Sequence, residues 1–234
     1  TKARIFNSSL GSKIQYSFED EEQQQQQNKS YRYQEPVALI LHASGGGFDQ
    51  GMAYGKALLP KHRLLCISRA GYLQSSADAC PRIEHQCSDI VELLDHLGVR
   101  EVIVVGMSVA GVLALNFASR YPERTVSVIL LSPWVPHGNR PPIPDPPLWM
   151  LRMFFGSEFV KWAAVRLVGD AMAGVTKETT HDERRMVDAI LQTLFPVTER
   201  FTGFLQDFTL MKQTMSREDF LKITCPILYV AALD

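Results

Sequence analysis

The sequence predicts an α/β fold: a mostly parallel sheet with helices on both faces, interrupted by a helical insertion. Short apolar runs recur at 37–42, 63–68, 101–106, 125–132 and 226–232. Runs of that length without polar alternation suit strands buried on both sides. Segments of helical character separate them, as parallel strands require. Between the fourth and fifth runs a Pro-rich stretch, RPPIPDPP, opens a long region dense in helix formers and large apolar side chains.

Lys13 to Phe18 has a strand pattern. The tract that follows, EDEEQQQQQNKS at 19–30, is polar and of low complexity, cannot bury apolar surface, and reads as a swollen hairpin loop. VALILH, RLLCIS, EVIVVG, TVSVILLS and PILYVAA are then the parallel strands, joined by right-handed crossovers. IEHQCSDIVELLDHLG supplies a covering helix, with Ile90, Leu93, Leu94 and Leu97 at helical spacing before a Gly stop. The chain divides into a first part of the core at 1–132, a helical lid at 133–223 and a returning core strand at 224–234. The lid leaves the carboxyl edge of the sheet, where ligands of open α/β sheets bind, and carries Trp149, Met150, Phe154, Phe155 and Trp162 to roof a pocket. The sequence starts at Thr1 rather than Met and stops at Asp234 just past an apolar run, so both ends read as cut and the core as C-terminally incomplete.

Composition narrows the partners. Lys and Arg number 24 against 25 Asp and Glu, which leaves no basic excess for a phosphate backbone, so nucleic acid is not expected. No stretch is long and apolar enough to span a bilayer, and TKARIFNSSL lacks the apolar region of a signal peptide. Cys66, Cys80, Cys87 and Cys225 form no CxxC pair and read as free thiols in a reducing compartment, hence cytoplasmic. The oligomeric state is not legible.

Gly106-Met107-Ser108-Val109-Ala110-Gly111 lies between the strand EVIVVG and the helix VLALNFASRY. That is the strand, turn and helix setting in which a serine is exposed as a nucleophile, with small residues around it because the turn is tight. The helix start also favours negative charge near Ser108. His42-Ala43-Ser44-Gly45-Gly46-Gly47-Phe48 follows the strand VALIL. Its Ser44 to Gly45 segment and the N–H of Val109 are the candidate oxyanion donors, with Trp134 beside the substrate. Neither glycine segment is a phosphate loop or a dinucleotide fingerprint.

HASGGGFDQG, then SRAGYLQSS, then GMSVAG followed by ALNFASRYPERTVSVILLSP, resembles the α/β-hydrolase superfamily across most of the chain outside the lid and the glutamine tract. The likeness is to a subgroup of bacterial and fungal hydrolases. The family's middle segment usually reads D-R-x-G-x-G-x-S; here Ser68 replaces the Asp and Leu73 the second Gly, departures that bear on loop packing. The resemblance implies a serine hydrolase without metal or organic cofactor, acting on a carboxylic ester or related acyl bond of a small apolar or amphipathic molecule. It implies an acid after a late strand, for which Asp234 or the residue beyond it is the candidate, and a histidine base that follows the acid. All six histidines precede Asp234, and they show no metal-ligand clustering. The alternative is therefore a non-catalytic binding protein on the same fold, or an inactive truncated form that lacks the base. A carbon–carbon hydrolase or a cofactor-free haloperoxidase would share every feature read to this point.

Overall fold

The computed structural model describes residues 2–19, 34–77, 82–135 and 146–231. Seven strands form one sheet: β1 (Arg4–Asn7), β2 (Lys13–Phe18), β3 (Gln34–Leu41), β4 (His62–Ile67), β5 (Val102–Met107), β6 (Thr125–Leu131) and β7 (Ile227–Val230). Their order is β1-β2-β4-β3-β5-β6-β7. The strands from β4 through β7 pair in parallel, as expected from the apolar runs, whereas β1 and β2 are antiparallel.

The period of two along each strand divides the core into two layers. Leu39, Leu41, Leu65, Ile67 and Val104 point to one face, under helices α2 (Ile83–His96) and α3 (Ala110–Arg120). Ala38, Ile40, Leu64, Cys66, Ile103 and Val105 point to the other, under α1 (Phe48–Leu58). With helices on both sides there is no position for polar alternation, which is why these strands read as unbroken apolar runs. Helix α2 stops at the predicted glycine: Gly98 adopts φ +66, and the N–H of Val99 returns to the Leu94 carbonyl at 2.8 Å.

One expectation is corrected. The polar tract cannot close a hairpin, because β4 lies between β2 and β3, each of which pairs with it. The hairpin at this end is β1–β2, closed through Ser8 to Ser12 with Gly11 at φ +84. Residues 20–33 themselves lie outside the described residues.

Between β6 and β7 run helices α4 (Leu148–Phe155), α5 (Glu158–Met172), α6 (His181–Gln192), α7 (Phe201–Met211) and α8 (Arg217–Leu221). Thr180 and Glu183 form a capping box at the start of α6, and Ser216 with Asp219 does the same for α8. The insertion is uneven. Trp149, Phe159 and Leu167 on α4 and α5 are exposed, whereas Leu210 on α7 and Met215 after it belong to the main core. None of the described helices is long and apolar enough to cross a membrane. Replacing Leu210 by Ala should therefore cost about 2–5 kcal/mol of unfolding free energy. Met153→Ala, at an exposed position, should stay within roughly 0.5 kcal/mol of wild type in the same denaturant titration.

Candidate active site

Only Ser108 and Val109 separate β5 from α3. So abrupt a change of direction puts Ser108 at φ +53, left-handed backbone that a side chain disfavours. Its neighbours hold it there: the Ser108 N–H donates to the Leu131 carbonyl at 3.0 Å, and its own carbonyl accepts from Gly111 and Trp134, each at 2.9 Å. Gly106 is sterically required. A Cβ there would lie 2.8 Å from that of Ala114 and 3.0 Å from the Ala110 carbonyl. The smallness of Gly106 and Ala110 that marked the motif in sequence is thus the condition for α3 to pack against β5.

In the parallel pair β3–β5, Leu41 is level with Gly106. The loops that follow, His42 to Gly47 and Ser108 to Val109, therefore leave the same sheet edge side by side. Gly45 has φ +77. Its N–H donates to the Tyr72 hydroxyl at 3.1 Å, that of Gly46 to the Ala43 carbonyl at 3.2 Å, and that of Ala43 to Gln50 Oε1 at 2.9 Å. Among the described residues no acceptor takes the N–H groups of Ser44 or Val109. Of the two loop residues predicted as oxyanion donors, Gly45 already has its N–H in use.

His42 is wholly buried and fixes this loop. The Arg69 N–H donates to Nε2 at 2.9 Å, which puts the proton on Nδ1, 2.7 Å from the Ala43 carbonyl. Burial, reinforced by the positive charge of Arg69, holds the imidazole neutral, with its pKa well below the ordinary value. Both ring nitrogens are committed. His62 binds the Pro36 carbonyl, His85 pairs with Arg82, His96 packs on Phe6 and His181 is exposed. None of these five is hydrogen-bonded to Ser108. His137 and Asp234 lie outside the described residues. Trp134 sits beside the turn, but its indole N–H donates to the Met211 carbonyl at 3.1 Å and so ties the turn to α7.

A buried polar cluster under the loop was not visible in the sequence. Arg69 and Asp207, both almost wholly buried, form an ion pair of 2.6 Å. Arg69 Nε also donates to the His42 carbonyl at 3.0 Å. The hydroxyls of Tyr72 and Ser44 both donate to Asp207 Oδ2. Burial and the Asp207 carboxylate push the Tyr72 phenol far up, so it stays a donor. Backbones meet closely here: Gly71, at φ +77, leaves its carbonyl 2.8 Å from the Gly203 N–H. A Cβ on Gly203 would lie 2.2 Å from the Tyr72 ring. Leu73, at the position where the resembled pattern has glycine, takes φ +53 and is held by its N–H to the Glu199 carbonyl at 2.7 Å.

Two outcomes follow. Glycine relieves the left-handed strain at position 108 and alanine does not, so Ser108→Gly should be more stable than Ser108→Ala by roughly 0.5–1 kcal/mol in thermal unfolding. A free histidine titrates near 6.5 and buried His42 well below it. The unfolded chain therefore gains a proton first on acidification. Stability contributed by neutral His42 is present above pH 6.5 and is lost as pH falls from there toward the folded value. The melting temperature of His42→Gln should fall less steeply than that of wild type across this window.

A family model described as alpha/beta hydrolase fold matches residues 36–195. The uncharacterized hydrolase YcgS of Bacillus subtilis (strain 168) is 30% identical over 94 residues, which cover 40% of this chain and 33% of that protein. The (lyso)-N-acylphosphatidylethanolamine lipase of Homo sapiens is 28% identical over 120 residues, 48% of this chain and 35% of the lipase. The chain thus spans about a third of the length of these relatives. The crystal structure of bromoperoxidase from Bacillus anthracis superposes with a TM-score of 0.66 at 15% identity, over 98% of this chain and 81% of that one. Because the family match runs through β3 to β6 and both loops at their carboxyl edge, and takes in more than half of the sequence, the chain belongs to the α/β-hydrolase fold family.

Proposed function

We propose that the chain is a serine-dependent hydrolase of carboxylic esters or related acyl bonds, with Ser108 as nucleophile. The observation that carries this reading is the strained left-handed conformation of Ser108, held by three backbone hydrogen bonds in a two-residue turn. Strain of this kind persists where the surroundings over-determine it, and it clusters at functional sites. The hydroxyl attacks the acyl carbon. The carbonyl oxygen becomes an oxyanion that accepts from the N–H groups of Val109 and Ser44, helped by the positive end of α3. The alcohol leaves with a proton, and water then cleaves the Ser108 ester to release the acid and restore the hydroxyl. The matched lipase supports acyl chemistry.

The base in this scheme is a histidine other than the five described ones, held in its tautomer by a carboxylate. Asp234 is the candidate acid, since it follows β7, whose Val230 carbonyl accepts from Ser132 at 2.7 Å two strands from the turn. The region 133–223 acts as the lid over a small apolar or amphipathic substrate, and no cofactor is required. The buried free thiol of Cys66 suits a reducing, cytoplasmic setting.

A second reading, a non-catalytic binding protein, is favoured by one observation: no described histidine is bonded to Ser108. A fluorophosphonate probe and a p-nitrophenyl ester series of increasing chain length separate the two. On the hydrolase reading Ser108 is labelled, and Ser108→Ala abolishes labelling and lowers ester turnover by about 10³-fold or more. A wild-type chain that is folded, unlabelled and inert toward every ester is the binding protein.

A further inference from the structure

The carboxylate of Asp207 sits on α7, in the insertion, yet its partners among the described residues lie at the sheet edge. Arg69 Nη1 donates at 2.6 Å and Nη2 at 3.1 Å, and the hydroxyls of Tyr72 and Ser44 complete the set. Packing alone does not call for a charge here, because a buried ion pair is often no more stabilising than apolar side chains of the same size. Its distinctive property is where it reaches. It holds Ser44 directly by the side chain, and through the Tyr72 hydroxyl it holds the N–H of Gly45 at 3.1 Å.

These are consecutive residues, and the residues before them are also tied: Ala43 by its N–H to Gln50, His42 by its carbonyl and Nε2 to Arg69. With both sides of Ser44 fixed, its own N–H is the group left without an acceptor among the described residues. Arg69 balances the charge of Asp207, so the carboxylate can anchor this loop without repelling an anion beside it.

We propose that Asp207 is a positioning residue for the oxyanion-binding loop: carried on α7, it fixes Ser44 and Gly45 so that the Ser44 N–H is aimed at developing negative charge. The loop is then competent only while α7 is seated on the sheet edge. This rests on the reading of Ser108 as nucleophile and adds to it a structural condition on activity.

The test uses Tyr72→Phe and Ser44→Ala in the full chain, since each removes one connection and leaves the Arg69 and Asp207 charges paired. Asp207→Asn would leave Arg69 buried without its counter-charge and is a poorer first choice. Three quantities are read: kcat and KM for p-nitrophenyl esters per fluorophosphonate-titrated site, the rate of fluorophosphonate labelling, and hydrogen exchange of the 43–47 segment. The expected result is a fall of about 10- to 100-fold in kcat per titrated site with little change in KM, slower labelling, and faster exchange at Gly45 in Tyr72→Phe. A purely structural role would lower the number of titrated sites and leave kcat per site unchanged, which overturns the proposal. If Tyr72→Phe does not fold, Ser44→Ala decides by the same figures. Wild-type protein that never labels at Ser108 overturns the nucleophile reading and this inference together. Normal labelling with both variants unchanged overturns this inference alone.

Discussion

The ion pair between Arg69 and Asp207 joins residues 138 positions apart and nearly excludes water from both charges. Removing each ion from water costs several kcal/mol, a cost offset only when geometry is good and the remaining lone pairs and protons are satisfied. Here they are. The guanidinium binds the carboxylate through both terminal nitrogens and the His42 carbonyl through Nε, while the carboxylate takes two further hydroxyls. Few arrangements of the loop after β3, the loop after β4 and helix α7 could satisfy all these groups at once. A second pair works in the same direction: Arg200, at the start of α7, bonds Asp49 on α1 at 2.6 Å. Helix α7 is therefore held at both ends of the loop region by charges that its own segment cannot satisfy.

Around that anchor the sheet edge assumes its shape. Parallel strands end level with one another, so the turn at Ser108 and the loop at Ser44 meet because β5 and β3 are neighbours in register. The neutral state of His42 follows from the same surroundings, since burial and two nearby guanidinium groups, Arg69 and Arg200, all disfavour a second proton. A histidine so placed cannot serve as a general base at Ser108. Its part is to fix backbone, with each ring nitrogen spent on one main-chain group.

What was legible in the sequence was whatever depends on local pattern. The five apolar runs became the parallel strands, because burial on both faces removes polar positions from a strand. The turn at Ser108 was readable from Gly106, Ala110 and Gly111, whose small size is demanded within a few residues of the serine. Strand β1 was not readable, since four residues with alternate exposure form a strand only by pairing with β2. The loop-closing role of the polar tract failed for a related reason: strand order is set by long-range pairing. The role of Asp207 is not legible in the sequence because its partners lie far away along the chain. One signal was present. In FTGFLQDFTLM the buried face reads Gly203, Asp207, Leu210, a lone carboxylate at helical spacing among buried positions, and a charge there requires a partner from elsewhere in the fold.

Burial divides the insertion into unequal parts. From Leu148 to Gln192, Leu151 is the one buried large apolar side chain among those described, while Trp149, Phe159, Trp162 and Leu167 face outward. From Val197 onward the chain buries Val197, Arg200, Asp207, Leu210 and Met215. Local opening is easiest where few apolar contacts must be broken. Helices α4 to α6 therefore have little to lose by moving, whereas displacing α7 would strip Arg69 of its counter-ion and Ser44 of its anchor. Helices α4 to α6 are thus the loosely packed part of the insertion, and α7 is the part bound to the sheet edge through buried charges.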